Sequence, residues 1–552
     1  MHKNLFQNSA HRSRSGAYQH LALAIFMSIG LVLLLSAYFT PMWETNDDVG
    51  MSMIAHGYGF VAQSSPNLIF SNVLWGNIVR AMPQFGNVVG YTVASTLVIV
   101  VSCAATLHFL MRLRVTWIHA LIAVTLIFVW PVLFPQFTLN AGLLAVAAVL
   151  GWRTYAETGE KFSLVLASLL GFLSYLIRDQ EFWLVLAVGV PFMPWKTLVR
   201  NRAMQAALVL LAVSIAGAAH LNKAAYDTTA WKTFHEFNIA RAPYTDFRAG
   251  NQVKNRPDVL ARYGYSPNDI DLVSDWFFVD PQLTDPAKLN AMLKDVDLHA
   301  WVQRGFGMGL ESLRQLFVDQ LWPLLACALI ITLVSPSRVV VILGVLVGAA
   351  VFALGAIGRP GVIRVNYPLC AFVLLVAVCG LNGRPAWARG LAGFALLLAS
   401  AAAFHAVWPY QVEAQSRLSQ ARLQLKGLPE GTLFVWGPAF PYESAFPPFD
   451  GFTDAQSVQI YPMGVSTPAP FSVATKEETA GRGFLVRLAS AEGLSISMPP
   501  GRLERLRIYC EEHFQSTLVD KVIHDRGGLV IHNVRCPHSM PAQDVRQAAA
   551  TR

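Results

Sequence analysis

Asp47 and Asp48 stand side by side in the segment WETNDDVGMSMIAHGY, just after the first long apolar stretch, with Glu44 close by. Adjacent carboxylates repel, so one of the pair can hold its proton beyond the ordinary range and serve as a general base. The same oxygens could instead ligate a divalent cation such as Mg or Mn. A plainer reading is also open. Asn46 makes a reasonable N-cap, two acids suit the positive end of a helix, and Gly57 and Gly59 would end that helix.

Three other groups could work with these acids. Arg178, Asp179 and Glu181 crowd the turn RDQEF between two apolar stretches, where charges are expensive and functional by default. Arg359 and Arg364 flank GRPGVIRVNYP, and a guanidinium pair there suits a phosphate or diphosphate. Each of these arginines could equally be an interfacial anchor. In the long polar segment 222–315, Trp231, His235, Asn238, Arg241 and Tyr244 recur every three or four residues, along one side of a helix, with Asp246 two residues further on. Further on, YGYSPNDIDLVSDWFFVDP offers Asp269 and Trp276. Such a mixture suits a sugar or the packing of a loop helix. Glu44, His235, Arg241, Asp269 and Trp276 are therefore the candidate substrate contacts, whereas His56, Met51 and Met53 read as packing residues. No Cys/His cluster has zinc spacing, and whether a metal is bound is left open.

The elements that position these residues follow from composition. The chain has 552 residues, 54% hydrophobic and 14% charged, with mean hydropathy +0.43. A soluble protein carries about 25% charged residues, so lipid must cover much of this surface. The net charge of +8 comes without a basic run or an aromatic-basic stripe, which excludes a nucleic-acid partner. About eleven stretches are apolar enough to span: 19–40, 88–110, 116–134, 138–152, 162–177, 181–195, 203–221, 316–335, 338–357, 366–382 and 389–408. The first is a span and not a cleavable signal, since no small-residue cleavage site follows it.

With the N-terminus in the cytoplasm, 13 Lys and Arg fall in the short cytoplasmic segments against 4 in the short outer ones. Loops 41–87 and 222–315 and everything after 409 then lie outside. The fold class expected is mainly α: a polytopic bundle over 1–408 with outer loop helices, and a small α+β domain over 409–552. In that domain TLFVWG, FLVRLAS and GLVIHNV read as strands, and residues from about 538 onward read as disordered. Ser266-Pro267-Asn268-Asp269 reads as a helix start, and the loop helices are expected to pack over the bundle. Cys510 and Cys536 both fall on the outer side, where a disulfide is plausible. The compact loops point to a bacterial inner (cytoplasmic) membrane.

An acidic pair in the first outer loop, followed by a membrane-parallel helix, resembles the GT-C class of membrane glycosyltransferases. The residues that carry the likeness are WETNDDVGMSMIAHGY, the RDQEF turn and GRPGVIRVNYP; the architectural likeness covers the whole chain. The resemblance implies inverting transfer of a hexosyl or pentosyl unit from a polyprenyl-phosphate-linked donor to a cell-envelope glycan or lipid. It assigns the base to Asp47 or Asp48, with the slight preference for Asp47, and the donor phosphate to Arg178, Arg359 or Arg364. A transporter or flippase of lipid-linked glycans, and a glycan polymerase or ligase, are the alternatives. Paired repeats, common in transporters, are not seen.

Overall fold

The computed structural model describes residues 2–297, 305–359, 361–449 and 458–537. The tail expected to be disordered, from about 538, lies outside the described residues. Apolar helices build one body: α1 (His2–Tyr38); α2 (Asn46–His56) and α3 (Val73–Ala81) in the first loop; then α4 (Gly90–Arg112), α5 (Trp117–Leu133), α6 (Phe137–Thr158), α7 (Lys161–Ile177), α8 (Asp179–Val188), α9 (Trp195–Arg200) and α10 (Arg202–Ala225). The long loop holds α11 (Thr229–Thr245), α12 (Gly250–Lys254), α13 (Pro257–Tyr263), α14 (Pro267–Ser274) and α15 (Pro286–Asp295). After it come α16 (Phe306–Arg314), α17 (Trp322–Val334), α18 (Arg338–Ala356), α19 (Ile363–Cys379) and α20 (Ala386–Gln424).

Among the described residues, 6 helices are long and apolar enough to cross a membrane, and the pair Phe306–Phe317 with Trp322–Val334 is bent by 82°. Helices α5, α7 and α19 are shorter and also apolar. The chain is an integral membrane protein. The stretch 181–195 departs from the expected full span: α8 stops at Val188 and a 3₁₀ turn, Val190–Phe192, follows. Pro191 lacks the N–H that a longer helix would need. The segment still reaches the far end of the bundle, where Arg153 lies 5.5 Å from the Phe192 ring centroid.

Helix α6 is the axis, with neighbours α4, α7, α8 and α19 around it. Its small residues let them come close. A Cβ on Gly142 would lie 2.5 Å from Pro368 Cγ, so glycine is what allows α19 to pack there.

Helix α20 runs on past the expected boundary at 408 to Gln424, and the sheet follows it. The strands β1 (Thr432–Val435), β2 (Gln459–Pro462), β3 (Leu494–Ser497), β4 (Val519–Arg526) and β5 (Leu529–Arg535) are ordered β2-β1-β3-β5-β4. The first three are parallel, and β4–β5 is an antiparallel hairpin. FLVRLAS is not a strand but a helix, Phe484–Ala489. Phe484 and Leu488 are buried four residues apart, which is the helical period. Cys510 and Cys536 form a disulfide, their Cα atoms 5.8 Å apart.

The long loop departs from expectation in what it covers. Ser266 and Asp269 do make a reciprocal cap on α14. Most of its core, however, is shared with the sheet domain and not with the bundle: Phe277 packs on Trp436, Phe484 and Tyr509. The first loop is tied to the same domain through Ala62 N–H to Phe471 O at 2.8 Å and Val473 N–H to Phe60 O at 3.0 Å.

Candidate functional site

Helix α2 places the acidic pair. Its N-cap is Thr45, not Asn46, which is already the first helical residue. Gly57, at φ 75°, closes the helix as expected. Adjacent residues on a helix point about 100° apart, and the two carboxylates end in different surroundings. Asp48 points into the bundle and is fully buried. Its Oδ1 accepts the Tyr91 hydroxyl at 2.8 Å and the Phe137 backbone N–H at 3.1 Å. Phe137 opens α6, so Asp48 sits at the positive end of the axial helix. Burial pushes its carboxyl well above the usual range; the Tyr91 hydrogen bond opposes this, and the charges of Asp47 and Glu44 add to it.

Asp47 faces outward with 29% of its side chain exposed, and its Oδ2 lies 3.4 Å from Arg364 Nη1. Burial raises its pKa, opposed by the Arg364 and Arg178 guanidiniums. Glu44 is also raised, by burial first, with Arg364 opposing and Asp47 adding. Its Oε2 is buried without a hydrogen-bond partner.

Arg178 donates to Phe70 O and to Gln180 Oε1, each at 3.0 Å, and lies over the Phe70 and Phe137 rings. Beside it Glu181 is 3% exposed with Oε2 unpartnered. Asn366, two residues beyond Arg364, is fully buried with neither amide atom partnered. Unsatisfied buried groups cluster where function, water or a ligand accounts for them.

Two cavities meet at this point. One, of about 560 Å³, is lined by Glu44, Arg364, Trp130, Tyr410, Glu413 and Arg417. The other, of about 430 Å³, lies between α2 and the sheet domain and is lined by Asp47, Gly50, Phe70, Trp276, Tyr442 and Arg502. The Asp47–Arg364 contact joins a wall of one to a wall of the other.

The remaining candidates scatter. Arg359 is exposed and lines neither cavity. His235 is exposed, in ring contact with Tyr226, Trp231 and Phe234. Arg241 is fixed by Asn238, Thr245 and Asp246 and stacks on Trp276 at 4.6 Å. Asp269 is buried at the joint with the sheet domain, where its Oδ2 accepts Ser266 N–H and its Oδ1 meets His513 Nε2, both at 2.8 Å. With Glu512 these residues form the group that could hold a metal among the described residues. At Asp47 itself a cation would have to displace Arg364. Sequence reasoning missed Glu413 and Arg417, whose i, i+4 spacing past the last span was a usable signal, and Arg502, which had none.

No protein-family model matches the chain, and no curated protein matches it. Among solved structures the chain is similar to ArnT from Cupriavidus metallidurans in the apo state, at TM-score 0.38 and 12% identity over 94% of this chain and 98% of that one. The same protein bound to undecaprenyl phosphate gives TM-score 0.39 and 11% identity over 94% and 99%. Likeness at that level leaves the chemistry to be argued from the site.

Proposed function

We propose that the chain is a GT-C-like membrane glycosyltransferase, moving a sugar from a polyprenyl-phosphate-linked donor to a cell-envelope glycan or lipid. The observation that carries this is the Asp47–Arg364 contact at 3.4 Å between two cavities. A transferase needs two substrates to meet at one base and one anion site, and this is such a meeting point.

In this reading the lipid phosphate enters the larger cavity, which mixes aromatic walls with Arg364 and Arg417. Guanidinium groups suit phosphate oxygens. The acceptor hydroxyl lies in the other cavity, beside Asp47. Asp47 takes the hydroxyl proton as the oxygen bonds to the anomeric carbon. The bond from that carbon to the phosphate oxygen breaks, and its electron pair leaves on the phosphate, stabilised by Arg364 with Arg178 nearby. A single displacement inverts the anomeric centre. Phosphate binding draws on Arg364, which frees Asp47 from the ion pair and readies it as base. Asp48 holds the first loop onto α4 and α6 and does not face a cavity.

The site end of the bundle is then the outer side of a bacterial inner membrane, with the N-terminus cytoplasmic. Arg153 and Glu157 lie about 25–30 Å along α6 from Phe137 at 1.5 Å per residue, which fits the Lys/Arg bias. The transporter alternative wants the acid deep in a passage open to both sides, whereas Asp47 sits at one end of an axis filled by α6.

The test is transfer from a radiolabelled polyprenyl-phosphate sugar in a membrane extract, with product analysis separating single-sugar addition from chain joining. Wild type should transfer with inversion and Asp47→Asn should not. Full activity in Asp47→Asn would end this reading.

A further inference from the structure

We infer that the cavity between α2 and the sheet domain binds an acidic sugar, its ring on Trp276 and its carboxylate or phosphate on Arg502. That this sugar is the acceptor rests on the transferase reading; that the site binds it does not.

Place comes first. Val435 ends β1 and Gly437 and Pro438 follow it, Pro462 ends β2 and 463–466 follow it, and Arg502 comes after β3, so this cavity lies at the carboxyl ends of three parallel strands. Crevices there are the usual ligand sites of open parallel sheets. About 430 Å³ is within the size range of small-molecule sites.

Trp276 supplies the second observation. Its φ is 68°, a left-handed conformation that is a genuine outlier for so bulky a residue. Such strain persists where the surroundings over-determine it, and it clusters at ligand sites. Here the surroundings are explicit: Arg241 stacks on the ring at 4.6 Å and is itself held by three side chains. The indole is thus a preset aromatic wall, and an aromatic wall takes the apolar face of a pyranose ring.

Arg502 supplies the charge. Its Nη1 is buried without a hydrogen-bond partner. Gly437, at φ 67°, makes room for it, since a Cβ there would overlap that nitrogen. Asp275 lies 3.7 Å from Arg502 Nε but is shared with Arg505, while Asp271 is shared by Lys254 and Arg505. Two carboxylates among these three cations leave one positive charge on the Arg502 side of the cavity, while Asp47 on the α2 side is paired with Arg364. A neutral sugar would waste it; an acid would meet it.

The experiment is isothermal titration of the full chain in nanodiscs, with no donor present, using glucuronic acid, glucose 6-phosphate, glucose and inorganic phosphate. At least one acidic sugar should bind tenfold or more tightly than glucose and than phosphate. Preference for glucuronic acid or for glucose 6-phosphate tells which acid the site takes, and either supports the proposal. Trp276→Ala should weaken acidic-sugar binding at least tenfold, and Arg502→Gln should abolish the preference over glucose. Arg502→Lys, which keeps the charge, should retain part of it and serves if the Gln variant does not fold by thermal melt. The proposal is overturned if neither acid outbinds glucose, if phosphate alone binds as well as the sugar phosphate, or if Arg502→Gln or, failing that, Trp276→Ala leaves binding unchanged. Absence of transfer by wild type would refute the transferase reading and leave this binding result standing.

Discussion

Replacing the two neighbouring aspartates separately should give opposite phenotypes. Asp47→Asn removes the proposed base from a side chain held by a loose 3.4 Å pair with Arg364. Loss of a general base costs about 10²–10⁴ in rate, or about 3–5 kcal/mol in barrier. The melting temperature should hardly move, because a partly exposed ion pair contributes about 0–1 kcal/mol. Asp48→Ala strands the Phe137 N–H and leaves the Tyr91 hydroxyl the weak Met51 Sδ acceptor 3.8 Å away, both groups being buried. Each orphaned group costs about 1–3 kcal/mol, so the loss is about 2–6 kcal/mol and the melt should fall by several degrees. Asp48→Asn keeps Oδ1 as the acceptor for both donors and should fold and transfer at near wild-type rates. The assay pairs initial rates of transfer from a polyprenyl-phosphate sugar with a thermal melt followed by tryptophan fluorescence. The reasoning fails if Asp48→Asn loses as much rate as Asp47→Asn at an unchanged melt, or if Asp47→Asn destabilises more than Asp48→Ala.

Other expectations can be checked on the same preparations. Burial raises the Glu44, Asp47 and Asp48 carboxyls, so the folded chain keeps protons that the unfolded chain releases. Their stability is present below the unfolded carboxylate range and lost as pH rises through the raised values. Acidifying the donor-free protein toward that range should therefore raise the contribution of these groups to the melt, and Asp48→Asn should show a smaller rise than wild type. Arg364→Gln removes the charge that holds Asp47 down, so the acidic limb of kcat/KM should move to higher pH; an unmoved limb would separate Arg364 from the base. Gly142→Ala puts a Cβ 2.5 Å from Pro368 Cγ. It should cost about 1–3 kcal/mol by overpacking and raise the donor KM through displaced α19. Cys510→Ser opens a disulfide across a 26-residue separation. It should destabilise the outer domain by about 3–4 kcal/mol, read as a lower melt without reductant and no difference with it.

Much of the bundle is legible because long apolar runs need no partner to declare themselves. Where reading fails, a distant contact decides. FLVRLAS has the composition of a strand, yet Phe484 packs on Phe277 and Phe434, which are brought to it only by the fold. Arg502 looks like any basic helix start until β1 and β3 carry it to the cavity. The long loop is polar enough to lie in water, and nothing local says that its aromatic residues are the second half of the sheet domain's core.

The choice between Asp47 and Asp48, by contrast, is written locally, in the phase of α2. Asp48, Met51, Ser52 and Ala55 recur at i, i+3, i+4 and i+7, and all are buried. Asp47, Gly50 and Ile54 follow the same period one residue earlier and line the cavity. A helix lying on a bundle must turn its larger, apolar stripe inward. Counting from Met51 and Ala55 puts Asp48 on that stripe and Asp47 at its edge, toward the solvent side. Two acids that look equivalent by composition are thus separated by one residue of helical rotation. The inner one is fully buried with its Oδ1 committed to α4 and α6, where a substrate hydroxyl does not reach it. The outer one has only an arginine that an incoming phosphate can claim, and that difference makes Asp47 the residue on which the proposed reaction turns.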